Sequence, residues 1–296
     1  MAAVARTWSP LSYLSILLGL AALVWTYMSP PLASYALFEP AWIAFLYLRN
    51  LTLTFLFCGG LHLYLVTYEC QGAKWRFHPM RFGGQGRQFF LGDQLWDNIF
   101  WNAGWGVMFW TAYESLILWA YATGRAPYVN PAAQPIWFTL LFVAIPLTHS
   151  THFYLIHRFV HWRPMYRWFH AVHHRNVAIG PWSGFSMHPV EQAIYLSLVL
   201  AYLVVPSHPV HLTFHLFFLT IGGAFGHAGF AKLQLGPRVS ISMTSFHHQI
   251  HHRYFNFNYG APDVPLDEWA GSFHDGTPDA TKRLWAVRRS AAIIRG

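Results

Sequence analysis

Thr151-His152-Phe153-Tyr154-Leu155-Ile156-His157-Arg158-Phe159-Val160-His161 closes an apolar run that begins at Ile136, and nine residues later comes His170-Ala171-Val172-His173-His174. The reading of this stretch decides the fold. Ile136 to Ile156 is long and apolar enough to cross a bilayer as a helix at 1.5 Å per residue, and it runs directly into an H-x-x-x-H. Residues three and four apart share a helix face, so His157 with His161, and His170 with His173 and His174, each turn their imidazoles one way. A second H-x-x-H-H, His248-Gln249-Ile250-His251-His252, repeats the pattern, with His247 just before it. Three such faces offer eight imidazoles, too many for one tetrahedral ion. They suit two octahedral or five-coordinate metals, or one metal whose ligands are held by the remaining histidines. Isolated His62, His78, His208, His211 and His215 read instead as core or membrane-interface residues.

Working outward, the 296 residues are 54% hydrophobic and 10% charged, where a soluble domain carries about 25% charged residues. Such a surface does not dissolve, and the apolar segments are long and continuous, without strand-like alternation. The expected fold class is all-α: a multi-pass integral membrane helical bundle of about four to six spans under a cytosolic, histidine-rich di-metal cap. Cys58 and Cys70 form no C-x-x-C and no disulfide framework. The first apolar run, Leu11 to Met28, reads as a retained span rather than a cleaved signal. In the next region, Arg49-Asn50 interrupts the apolar run, which places the crossing at Leu51 to Tyr68. Val190 to Val205 and Val210 to Phe225, joined at Pro206-Ser207-His208-Pro209, read either as a spanning hairpin or as a re-entrant pair.

Basic residues set the orientation. Four lie between Glu69 and Leu95, four (Arg158, Arg163, Arg167 and Arg175) beside the first histidine clusters, and eight from Lys232 to Arg295. By the positive-inside rule, these segments and the histidines face the cytoplasm. A bacterial inner membrane is favoured over an endoplasmic reticulum membrane, because the Arg295-Gly296 end carries no retrieval signal. The expected organisation is N-terminal spans over 1–130, a catalytic unit over 131–275, and a basic tail over 276–296 with a helix near Thr281 to Ile294. That tail suits lipid headgroups rather than nucleic acid.

Several metal chemistries are excluded by what is missing. No H-E-x-x-H occurs, and no E-x-x-H, which argues against zinc proteases and ferritin-type di-iron bundles. Histidine doublets exceed what a bis-histidine haem needs. A histidine-rich metal pair beside a bilayer has an evident use: activating O2 to attack an unactivated C–H bond of a lipid. Tyr154, Trp162, Trp168, Phe169, Trp182 and Phe246 fit equally an apolar substrate tunnel or plain interface packing.

His157-Arg158-Phe159-Val160-His161, His170 to His174, His188-Pro189-Val190-Glu191, His227-Ala228-Gly229, and His248 to His252 followed by Asn258-Tyr259-Gly260 together resemble the sterol desaturase and fatty acid hydroxylase superfamily, over roughly residues 135 to 275. The resemblance implies a membrane-embedded, non-haem di-iron oxygenase that takes O2 and electrons to hydroxylate or desaturate a fatty acyl or sterol-like lipid. It implies His157, His161, His170, His173, His174, His227, His248, His251 and His252 as ligands of two iron ions. His188 is a weaker candidate for ligand, or for holding a ligand in place, and Glu191 is a candidate for orienting one. His247, His152 and His149 are further candidates, as ligands or as residues that orient one; His247 adds a second possible register to its motif, and His149 and His152, which precede the first motif, read as orienting or structural. No G-x-G-x-x-G is present, so a separate reductase or electron carrier is implied as partner, with the arginines at 158, 163, 167 and 175 as its docking face. Hydroxylation and desaturation share one oxidant and stay open, as does the oligomeric state. From another class, the alternative is a non-catalytic membrane protein that binds or transports zinc.

Overall fold

The computed structural model describes residues 12–77, 82–236, 239–243 and 245–282. The tail helix expected near Thr281 to Ile294 therefore lies almost wholly outside the described residues.

Helix α1, Tyr13–Tyr27, begins where Ser12 accepts a hydrogen bond from the Ser15 amide. The side-chain oxygen takes up one of the amides that a helix start leaves without a partner. Helix α2, Pro40–Thr67, opens with Pro40, whose missing N–H costs nothing at a first turn. It is followed by α3 over 94–122, capped by the Asp93 carboxylate on the Leu95 and Trp96 amides. Helix α4, Pro135–Val160, is continued after a bend by α5 over 163–174. Helices α6, Pro189–Leu203, and α7, Pro209–Gly226, form a hairpin. A two-stranded antiparallel pair, β1 Lys232–Gln234 and β2 Ser240–Ser242, departs from the expected all-α class. Helix α8, Ser245–Tyr254, and the short α9, Leu266–Trp269, complete the cap.

Among the described residues three helices, α2, α4 and α7, are long and apolar enough to cross a membrane. Helices α1 and α6 are apolar but shorter. The chain is thus a mostly helical membrane protein. Helix α7 forms the middle of the bundle, with Leu212, Phe214, Leu216, Phe217 and Leu219 all buried. Tyr13 of α1 stacks on its Phe218 and Phe225 at 6.2 and 5.7 Å. Helix α4 instead exposes Leu140, Val143, Leu147 and Leu155, the face expected against lipid tails.

Arg49-Asn50 does not interrupt α2. Both side chains are buried, and Arg49 Nη2 donates to Glu114 Oε1 of α3 at 2.5 Å. Asn50 Nδ2 donates to Glu114 Oε2 at 2.9 Å and to Thr111 Oγ1 at 3.2 Å. A charge read alone along the chain marks a break; paired with a carboxylate 65 residues away, it is carried inside the bundle.

Candidate metal centre

The nine histidines implied as ligands come together in two sets. His157, His161, His170, His174 and His251 form one; His173, His227, His248 and His252 form the other. Within each, the donor nitrogens lie within 4.8 Å of one another. All nine are buried except His161, which is partly open. His157 ends α4, His170, His173 and His174 come from α5, His227 caps α7, and the last three come from α8.

Helical geometry divides the histidine motifs between the sets. Neighbouring residues on a helix point about 100° apart, whereas residues four apart share a face. In α5, His170 and His174 therefore turn to the first set and His173 to the second. In α8 the assignment is reversed: His248 and His252 serve the second set, and His251 crosses to the first.

Five of the nine far nitrogens are held from behind, whereas His174 Nδ1 and His252 Nδ1 have no partner among the described residues. His157 Nδ1 donates to the Tyr259 carbonyl at 2.6 Å, His251 Nδ1 to Phe257 at 2.7 Å, His227 Nδ1 to Gly223 at 3.0 Å and His173 Nδ1 to Ser186 at 3.2 Å. His170 Nδ1 lies 2.6 Å from Glu191 Oε1. Carbonyls only accept, so the Nδ1 atoms of His157, His251, His227 and His173 carry the proton and their Nε2 atoms present bare lone pairs; burial pushes the Glu191 carboxyl up to about 8. Such an arrangement orients imidazoles toward a metal.

The Nε2 atoms then converge. His161 Nε2 lies 3.1 Å from those of His170, His174 and His251, and His174 to His251 is 3.0 Å. In the second set, His252 Nε2 lies 3.1 Å from His173 and 3.0 Å from His248, and His227 lies 3.4 Å from His173. His173 and His227, whose Nδ1 protons are fixed by carbonyls, face each other with two lone pairs, which repel unless a cation lies between them. At a metal–nitrogen distance of about 2.1 Å, neighbouring ligands at right angles stand about 3.0 Å apart, and tetrahedral ones about 3.4 Å. Most of the separations match the right-angled case, and five donors in one set exceed a tetrahedral site. The residues present therefore fit a metal pair of higher coordination.

Burial, reinforced by the neighbouring imidazoles, holds His174, His248, His251 and His252 well below the ordinary histidine range. Burial, with His157 and His173 beside it, lowers His161 to about 2, and burial lowers His227 to about 4. All are neutral at physiological pH, the form that ligates metal.

The remaining candidates lie outside both sets. His188 caps α6, its Nδ1 accepting from the Val190 amide at 3.2 Å. This cap directs Glu191 into the first turn, where it meets His170. His247 Nε2 lies 3.3 Å from Asp267 Oδ2. His152 Nε2 lies 3.2 Å from Ser197 Oγ, and His149 stands two helical turns before His157. Among the basic residues, Arg158, Arg163 and Arg167 are exposed, but Arg175 is committed to Asp97 at 3.2 Å and to the Gln88 carbonyl.

Sequence reading missed Asp267. Burial alone would raise its carboxyl, but hydrogen bonds from His247, Ser272 and the Gly260 and Tyr259 amides hold it below the ordinary value. By fixing those two amides it fixes the Tyr259 carbonyl behind His157. The signal lay in Tyr259-Gly260: a Cβ on Gly260 would meet Asp267 Oδ2 at 3.1 Å.

A cavity with about 920 Å³ of empty space, part of it open to solvent, adjoins both sets. His157, His170, His173, His227 and His248 line its metal side, and Tyr13, Phe153, Ile194, Tyr195 and Phe218 line its apolar side. None of the six aromatics considered for a tunnel lines it; Trp162 and Trp168 are 60% and 66% exposed on the outer surface.

Residues 142–272 match the family model for fatty acid hydroxylase. This region belongs to the sterol desaturase and fatty acid hydroxylase superfamily. A Delta(7)-sterol 5(6)-desaturase from Saccharomyces cerevisiae is 32% identical over 121 residues, 40% of this chain and 32% of that protein. Its counterpart in Eremothecium gossypii is 28% identical over 149 residues, 50% of this chain and 39% of that protein. A Delta(7)-sterol-C5(6)-desaturase from Nicotiana tabacum is 29% identical over 127 residues, 41% of this chain and 45% of that protein. The chain thus matches between a third and a half of the length of these relatives. No solved structure matches.

Proposed function

We propose that the chain is a membrane-bound, non-haem di-iron oxygenase that uses O2 and externally supplied electrons to hydroxylate or desaturate an unactivated C–H bond of a lipid. The observation that carries this reading is the convergence of nine imidazoles, in two adjacent sets, on the wall of an apolar cavity. The sterol desaturases among its relatives support a lipid substrate, with desaturation and hydroxylation as two outcomes of one chemistry.

When bound, the iron pair supplies the site at which O2 is reduced and the oxidant for the C–H bond. The chain's own residues do the rest. His157, His161, His170, His174 and His251 would hold one ion, and His173, His227, His248 and His252 the other. Glu191 and the carbonyls of Tyr259, Phe257, Gly223 and Ser186 keep the protons on the far nitrogens and fix the rings. Phe153, Tyr195 and Phe218 exclude water and receive an apolar substrate. A separate reductase or electron carrier is the implied partner, and exposed Arg158, Arg163 and Arg167 are its proposed docking residues, without Arg175.

We place the catalytic unit at 131–275, preceded by membrane helices over 1–130 and followed by a basic tail over 276–296, with the histidines on the cytoplasmic face of the membrane. The test is direct. Iron-loaded protein in detergent, given a total lipid extract, O2 and a chemical reductant, is expected to yield lipids that have gained one oxygen or lost two hydrogens. Reductant-dependent oxygen uptake without any such product, or no uptake at all, overturns the reading.

A further inference from the structure

His149 has no task in holding metal, yet it lines the same cavity as His157, His173, His227 and His248. It stands eight residues before His157 on α4, with Phe153 midway, and the three rings stack in sequence at 5.8 and 4.8 Å.

The rings around His149 are mostly aromatic hydrocarbon, with His215 edge-on at 6.2 Å. Phe218 meets its ring edge-on at 4.9 Å and Tyr195 at 6.1 Å. The ring is 7% exposed, and neither nitrogen has a hydrogen-bond partner among the described residues; Nδ1 is fully enclosed. Its neighbours are better provided for. His152 reaches Ser197 Oγ through Nε2, and His215 reaches the Tyr202 hydroxyl through Nδ1 at 3.1 Å. An imidazole buried without a partner is costly, and a ligand that supplies one recovers that cost.

We propose that His149 is a specificity-determining residue that binds the hydroxyl group of an amphipathic lipid alcohol and so sets which carbon reaches the metal pair. This rests on the oxygenase reading. A neutral imidazole offers one donor and one acceptor, and a hydroxyl can satisfy either. Phe153, Ile156, Ile194 and Phe218 give the cavity wall a hydrocarbon face, which suits an apolar body carrying a single neutral polar group. With His149 at one end and the His157 ring no farther off than the two ring-to-ring steps of 5.8 and 4.8 Å, the oxidised carbon lies within about nine carbon–carbon bonds of the hydroxyl in an extended chain, each bond advancing roughly 1.2 Å.

The experiment measures binding, so it does not depend on turnover. Octadecanol and octadecane are titrated into the purified full chain in detergent, with ligand-induced thermal stabilisation as the readout. Wild type is expected to prefer the alcohol by roughly tenfold, the value of one buried hydrogen bond. His149→Phe, which keeps the ring stack, is expected to bring the ratio to about one with metal content unchanged; His149→Asn, which keeps a donor and an acceptor, retains part of the preference. Equal binding of both probes by wild type overturns the proposal, and that measurement needs no variant to fold. A preference that survives in His149→Phe also overturns it. Loss of turnover with the preference intact would count against the oxygenase reading alone.

Discussion

His174 and His251 approach to 3.0 Å between their Nε2 atoms, although they come from helices 77 residues apart in the chain. The next pair along, His173 and His252, approach to 3.1 Å in the other set. Each histidine doublet is therefore split between two sites, and neither site can form from one helix alone.

From this follows a selective pattern of loss. His174→Ala removes a donor from the first set, and His252→Ala removes one from the second. Each variant is expected to bind metal less tightly at one site, with most of the other retained, as read by metal titration against a chelator. Complete retention of both metals in either variant would contradict the division.

Glu191 is expected to act through His170. Glu191→Ala leaves the His170 Nδ1 proton without its acceptor at 2.6 Å, and should weaken metal binding by about 10–100-fold. Glu191→Gln keeps an acceptor oxygen and should lose less. Equal affinities for both variants and wild type would remove the carboxylate from the account.

Gly184 and Gly223 mark a crossing of two backbones beside the site, and a Cβ on Gly184 would fall on the Gly223 carbonyl. That carbonyl also accepts the His227 Nδ1 proton. Gly184→Ala is expected to lower stability by about 1–3 kcal/mol and to weaken the second metal more than the first. Thermal unfolding in detergent, followed by metal analysis, checks both.

The buried Arg49–Glu114 pair predicts an asymmetry. Glu114→Gln leaves the guanidinium inside the bundle without a countercharge and should cost about 3–5 kcal/mol. Arg49→Met with Glu114→Gln should cost less than Glu114→Gln alone. A double variant worse than the single would show that the pair does not act as a unit.

Acid should loosen the metal-free protein. Folding holds His161 to about 2 and His227 to about 4, whereas in the unfolded chain both titrate near 6.5. Unfolded protein therefore binds more protons below about pH 6.5, so stability is complete above that pH and falls as pH drops below it. The thermal midpoint of chelator-treated protein should be lower at pH 5 than at pH 7.5; an equal or higher midpoint at pH 5 contradicts the burial of these rings.

Much of the site was legible because helical spacing is local: an H-x-x-H-H fixes which imidazoles share a face. That reading supplied eight of the nine donors, His227 coming only from the family resemblance, but not their division, which depends on where α8 packs against α5. The carbonyls behind the rings were invisible, since any residue provides one; only Glu191 announced itself by type. Arg49 misled because its partner Glu114 is remote in sequence, and Arg175 because its charge is spent on Asp97. The short strands Lys232–Gln234 and Ser240–Ser242 are three residues each, too brief for an alternation to be read.

The most direct measurement is elemental analysis of the full chain purified in detergent from cells grown with ample iron and zinc. The account predicts about two irons per chain, released when the histidines of both sets are replaced. Zinc alone, or a single metal shared by the two sets, would contradict it.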